Sequence, residues 1–122
     1  RWDDAQTEFQ KAIGLDPNRI ETYLHQARAF ERHAKSDDAQ AAKFHTQAEE
    51  IFRRLIEKNP ASVSARLAFG DFLFADKRES EAEQQLLLAH KADAADKLVL
   101  VALRLALGLT YRPDEIYTIT PL

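Results

Sequence analysis

"AEEIFRRLIEKNP" at Ala48–Pro60 and "AEQQLLLAHKADA" at Ala82–Ala94 are one pattern written twice. Ala48, Phe52, Leu55 and Pro60 are separated by four, three and five positions, and so are Ala82, Leu86, Ala89 and Ala94. The first three members of each set share one face of an α-helix, which turns every ~3.6 residues, and the fourth falls where a helix should stop. Ala5, Phe9, Ala12 and Pro17 make a third copy with the same spacing. Each set therefore predicts the end of an amphipathic helix. These recurrences, more than any single residue, predict an all-α chain built from repeated units.

A second helix is expected after each stop. Tyr23, Ala27 and Phe30 are matched by Arg66, Gly70 and Leu73, and then by Leu100, Arg104 and Leu107, so the unit is a helix pair. Two helices approach closely only where one presents a minimal side chain, while Gly costs about 1 kcal/mol inside a helix. Ala27 and Gly70 are thus expected at the crossings.

Composition agrees. The chain has 122 residues, 45% hydrophobic and 30% charged, with three Gly and four Pro, which favours long helices over turn-rich β structure. Its net charge of −3 gives no general basic field for a polyanion, so nucleic acid is not an expected partner. There is no Cys, hence no disulfide and no thiolate metal site, and this is compatible with a cytoplasmic and with an exported or periplasmic location. The apolar run from Leu98 is broken by Arg104 and is too short to cross a bilayer. The chain opens at Arg1, without Met, directly in a helical pattern, and is read as a piece of a longer array whose targeting region lies elsewhere.

The spacing and residue types resemble the tetratricopeptide-repeat family, whose period is 34 residues, as from Ala48 to Ala82 and from Pro60 to Ala94. Residues 1–19, with Trp2, Ala5, Phe9, Ala12 and "LDPN" at Leu15–Asn18, resemble the second helix of a repeat; 20–62 and 63–96 resemble full repeats. Residues 97–112 resemble a further first helix, and 113–122 a tail. The resemblance implies a right-handed superhelical stack of antiparallel helix pairs, an α-solenoid. "FGDFLFADKRESEAEQQL" at Phe69–Leu86 is also similar to repeats of bacterial exported arrays associated with surface-polysaccharide or protein-sorting systems.

Three departures bear on this expectation. Ala5 to Ala48 spans 43 residues, nine over the period, with the excess near "KSDDAQAAK" at Lys35–Lys43. That stretch is helix-forming after a cap at Ser36 or Asp37, so a lengthened hairpin is expected. Arg66 stands where the family prefers an aromatic residue, and Arg104 where it prefers a small one. The tail "IYTITPL" at Ile116–Leu122 alternates β-favouring residues and is expected to be extended.

By resemblance, the first helix of each pair lines a concave groove that binds a protein or peptide. Carried over by position, the groove presents Glu21, Leu24, Arg28, Glu31 and Arg32, then Ser64, Leu67, Asp71 and Phe74, then Leu98, Val101 and Leu105. The implied occupant is an extended peptide or apolar helix held by Leu67 and Phe74, with Arg28 and Arg32 selecting acidic residues. Leu98, Val101 and Leu105 have a second reading, as core covered by further repeats. One subgroup of the family grips a C-terminal carboxylate with Lys, Asn and Arg. The corresponding positions here, Leu24, Arg28, Ala68, Leu98 and Ala102, keep one basic residue and no amide, so that activity is not expected.

No site of chemistry is legible. His25, His33, His45 and His90 include no pair three or four apart, and surface or hairpin-facing positions are expected for them rather than metal ligation. Asp37 with Asp38, and Glu49 with Glu50, are sequence neighbours that project in different directions from a helix. There is no Gly-rich phosphate loop or nucleophile elbow. Neither catalysis nor a cofactor is expected. The helix from Lys97 to Leu109 is apolar on nearly every side, which points to cover by the tail or to self-association through 97–122. The expected function is a non-catalytic interaction scaffold. The alternatives are a recruiting or regulatory segment of a larger enzyme, and a structural spacer within a longer array.

Overall fold

The computed structural model describes residues 2–36 and 38–106. Among them the chain is all-helical: α1 (Trp2–Leu15), α2 (Ile20–Ser36), a 3-10 turn at Asp38–Gln40, α3 (Ala41–Lys58), α4 (Val63–Ala75), α5 (Glu79–Ala92) and α6 (Lys97–Ala106). They form two compact units, Arg1–Lys58 and Asn59–Leu122. The expected extended tail, Ile116–Leu122, lies outside the described residues, as do Asp37 and Leu107.

In the first unit, α2 and α3 pack along their length while α1 leans on α2. The core consists of Leu24, Ala27, Phe30 and Ala34 from α2 with Phe44, Ala48, Phe52 and Leu55 from α3. These recur every three or four positions, so each helix buries one stripe. The excess residues go into helix length: α2 and α3 have 17 and 18 residues where α4 and α5 have 13 and 14. Ser36 does not cap α3. It ends α2, its Oγ donating to the His33 carbonyl at 2.9 Å.

An aromatic cluster fills the lengthened end of this hairpin. The indole of Trp2 lies parallel to the His33 ring at 4.1 Å and meets Phe30 and Phe44 edge-on at 5.1 and 5.4 Å. Phe44 also meets His33 edge-on at 4.6 Å. Edge-to-face pairs set the positive rim of one ring against the negative face of another, adding to the apolar burial.

In the second unit, α4 and α5 reverse at Asp76–Arg78, and α6 packs on both helices. Gly70 is the close approach expected from the sequence: a Cβ built there would stand 3.0 Å from Leu86 Cδ2 and 3.6 Å from the Ala82 carbonyl oxygen. Leu86 then joins Ala89, Val99 and Leu103 in a buried cluster. Arg104, where a small residue was expected, is 3% exposed, because it follows Leu100 by four positions and shares its buried face. The reversal after α4 is a Schellman-type close. Arg78 N–H donates to the Leu73 carbonyl at 2.9 Å and Lys77 N–H to the Phe74 carbonyl at 3.0 Å, with Lys77 at φ 62°.

The repeat also recurs in the hydrogen bonds of the connections. The N–H groups of Arg19, Ser62 and Asp96 donate to the carbonyls of Asp16, Asn59 and Asp93, closing three equivalent turns. Asp16 and Asp93 carboxylates accept from Asn18 and Ala95 N–H, and Ser62 Oγ and Asp96 Oδ1 accept from Ala65 and Val99 N–H as N-caps. Arg66, where the resemblance implied an aromatic residue, makes a contact like that of Tyr23. Tyr23 donates its hydroxyl to the Pro17 carbonyl at 2.7 Å, and Arg66 donates Nε to the Pro60 carbonyl at 2.8 Å. Different side chains thus tie the first helix to equivalent turns.

Two substitutions should move stability in opposite directions in urea unfolding followed by circular dichroism. Lys77→Gly relieves the left-handed backbone of a side-chain-bearing residue and should raise the unfolding free energy by about 1 kcal/mol. Gly70→Val drives a branched side chain into Leu86 and should lower it by about 2 kcal/mol.

Candidate functional site

Leu67, Asp71 and Phe74 are four and three positions apart and therefore share one face of α4, while Leu98, Val101 and Leu105 share one face of α6. Both helices rest on α5. The two faces, together with Ala75, Leu86, Ala102 and Ala106, surround a depression of about 340 Å³. The structure thus brings six of the twelve proposed groove residues together within the second unit.

The depression is apolar and open. Five large apolar side chains are exposed among the described residues, and four of them line it: Leu98 and Leu105 at 70%, Phe74 at 43% and Val101 at 42%. Contiguous apolar exposure of this kind marks association surfaces, whereas isolated exposed apolar residues such as Leu15 need no explanation. The floor is Leu86, 2% exposed and held against Gly70. Asp71 is the only charged side chain of the described lining. Leu86, Ala102 and Ala106 were not singled out in the sequence as lining residues. Ala102 follows Leu98 by one helical turn and Ala106 follows Ala102 by another, so two small residues line the depression beside the exposed leucines.

Below this groove Arg66 ties α4 to α5 through Nη1 and Gln85 Oε1 at 2.7 Å. Partial burial lowers its guanidinium pKa from the ordinary value. Desolvation disfavours the charged form, and the hydrogen bonds to Gln85 and to the Pro60 carbonyl answer it.

Of the other six, Ser64 lies on α4 outside the described lining, and Glu21, Leu24, Arg28, Glu31 and Arg32 lie on α2 in the first unit. Arg28 and Arg32 are exposed. Leu24 is not: it is 7% exposed, because it follows Ile20 by four positions and precedes Ala27 by three, on the packed side of the helix. It offers a ligand little surface here and is a core residue. Arg32 instead borders a second, shallower depression of about 360 Å³, lined also by Trp2, Ala5, Ala29, His33 and Ser36.

The histidines divide. His25 is exposed, His33 stacks on Trp2, and His45 is half-buried. His90, expected at a surface or hairpin-facing position, is 3% exposed because it follows Leu86 by four positions and shares its buried face. Among the described residues no group of three His, Cys, Asp or Glu side chains could hold a metal ion. No helix of the described residues is long and apolar enough to cross a membrane.

Comparison of the chain with protein-family models, curated proteins and solved structures gives no match.

The exposed wall and the buried floor should respond differently to substitution. Leu98→Glu with Leu105→Glu should change the unfolding free energy by less than about 1 kcal/mol, since both side chains already face water. The same pair should abolish binding of an apolar reporter dye to the native protein. Leu86→Ala should cost about 3 kcal/mol. Urea titration and dye fluorescence on the same samples check both.

Proposed function

We propose that this chain is a non-catalytic interaction scaffold of tetratricopeptide type, a right-handed stack of antiparallel helix pairs whose α4–α6 groove holds an apolar segment of a protein partner. One observation carries the reading: among the described residues, four of the five exposed large apolar side chains surround a single depression. The recurrence of the helix pair and of its connecting turns supports the repeat architecture. Two helices offering apolar residues at helical spacing form a trough with room for alternate anchors of an extended peptide or the apolar stripe of a helix. Leu67 and Phe74 grip from α4, and Leu98, Val101 and Leu105 grip from α6. The lining supplies apolar contact and one carboxylate, a chemistry suited to holding a segment.

Peptide-library panning tests this. Wild type should enrich sequences with apolar residues at regular spacing, and the Leu67→Ala, Phe74→Ala variant should not. A purely structural spacer would enrich nothing that depends on those residues. Sedimentation at several concentrations addresses the competing occupant: association that disappears in Leu105→Glu assigns the groove to a second copy of the chain, while a monomer at all concentrations leaves it to a different protein.

A further inference from the structure

The α4–α6 groove has a candidate occupant in its own chain. Residues 107–122, which lie outside the described residues, follow directly in sequence on α6, one wall of that groove. Within them 116–122 carry no charged side chain, while Arg112, Asp114 and Glu115 stand just before. Alternate side chains of an extended segment share a face, so Tyr117, Ile119 and Pro121 make one apolar row and Thr118 and Thr120 fall on the opposite side. A row of that kind suits a lining that is apolar apart from Asp71. Reach also suffices. The α6 lining from Leu98 to Ala106 is about 12 Å long at 1.5 Å per residue. Seven extended residues span about 23 Å, and residues 110–115 supply up to about 20 Å for the reversal even where the helical pattern runs on to Leu109.

We propose that residues 116–122 seat in the α4–α6 groove of their own chain, with Tyr117 and Ile119 against Leu98, Val101 and Leu105, and that a partner segment must displace them. A second copy of the chain is the poorer occupant. Stable interfaces engage about 20–30 residues a side, and the described lining has ten. A tethered segment needs far less contact, because a short tether holds it at millimolar effective concentration. Weak seating is thus enough to keep Leu98 and Leu105 out of water, and weak enough to yield to a longer or better-matched ligand. The groove is then self-covered until a partner competes. That competition rests on the groove being a partner site, whereas the seat itself does not.

The chain has no Cys of its own, so an introduced pair can report the seat. Val101→Cys with Ile119→Cys, in the dilute full chain under mild oxidation, should close an intramolecular disulfide. Lys91→Cys with Ile119→Cys is the control, since Lys91 is exposed on α5 outside the described lining, and it should close at least tenfold more slowly. Tyr117→Glu with Ile119→Glu, checked for native circular dichroism, should raise binding of an apolar reporter dye at least twofold. Peptides selected by panning should bind that variant at least fivefold more tightly than wild type. The two readings fail separately: if panning selects nothing while the 101–119 pair closes fast, the partner site is lost and the seat stands. The proposal is overturned if the two cysteine pairs close at the same rate, if the 101–119 product is a cross-linked dimer, or if the Tyr117→Glu, Ile119→Glu variant takes up no more dye than wild type.

Discussion

Leu86 seats on Gly70, and much of the second unit is organised around that contact. The missing side chain lets the α5 leucine come within van der Waals reach of the α4 backbone. From there Leu86 packs with Ala89, Val99 and Leu103, so the position of α6 depends on it. It is also the floor of the groove. A glycine that weakens α4 by about 1 kcal/mol relative to alanine is thus kept where the approach of two helices yields a buried cluster and, on the other side of the same residue, an open trough.

The connections show how a repeat tolerates change. Tyr23 and Arg66 are chemically unlike, yet each reaches back six positions to a proline carbonyl. A phenol hydroxyl and a guanidinium both donate, and a proline lacking its own N–H still offers its carbonyl. Each bond fixes the angle at which a first helix leaves its turn. The N-caps vary in the same way: Ser62 and Asp96 differ in charge, but each places an acceptor oxygen over the N–H three residues on. Repetition in this chain is conserved at the level of the bond made rather than of the residue making it.

The candidate groove residues were carried over by position from the family resemblance, and helical spacing explains why those on one helix share a face. Leu67, Asp71, Phe74, Leu98, Val101 and Leu105 were picked by position and come together around one depression. Leu24 was misplaced for an instructive reason. It sits at the edge between the packed and open faces of α2, where spacing cannot say how far the neighbouring helix extends, and there it is covered. His90 was misjudged through polarity. It lies one turn beyond the buried Leu86, and position on the helix outweighed its polar ring.

By itself the sequence determined the helix pairs, the crossing at Gly70 and the extra residues between the first two copies of the pattern, because these follow from spacing and side-chain size along one helix. Only the tertiary structure decided which edge residues are covered, that the extra residues lengthen α2 and α3 around the cluster of Trp2, Phe30, His33 and Phe44, and that Ala102 and Ala106 line the depression beside the exposed leucines. Those outcomes depend on where a second helix lies. That is set by the packing of both helices together and has no representation in the periodicity of either.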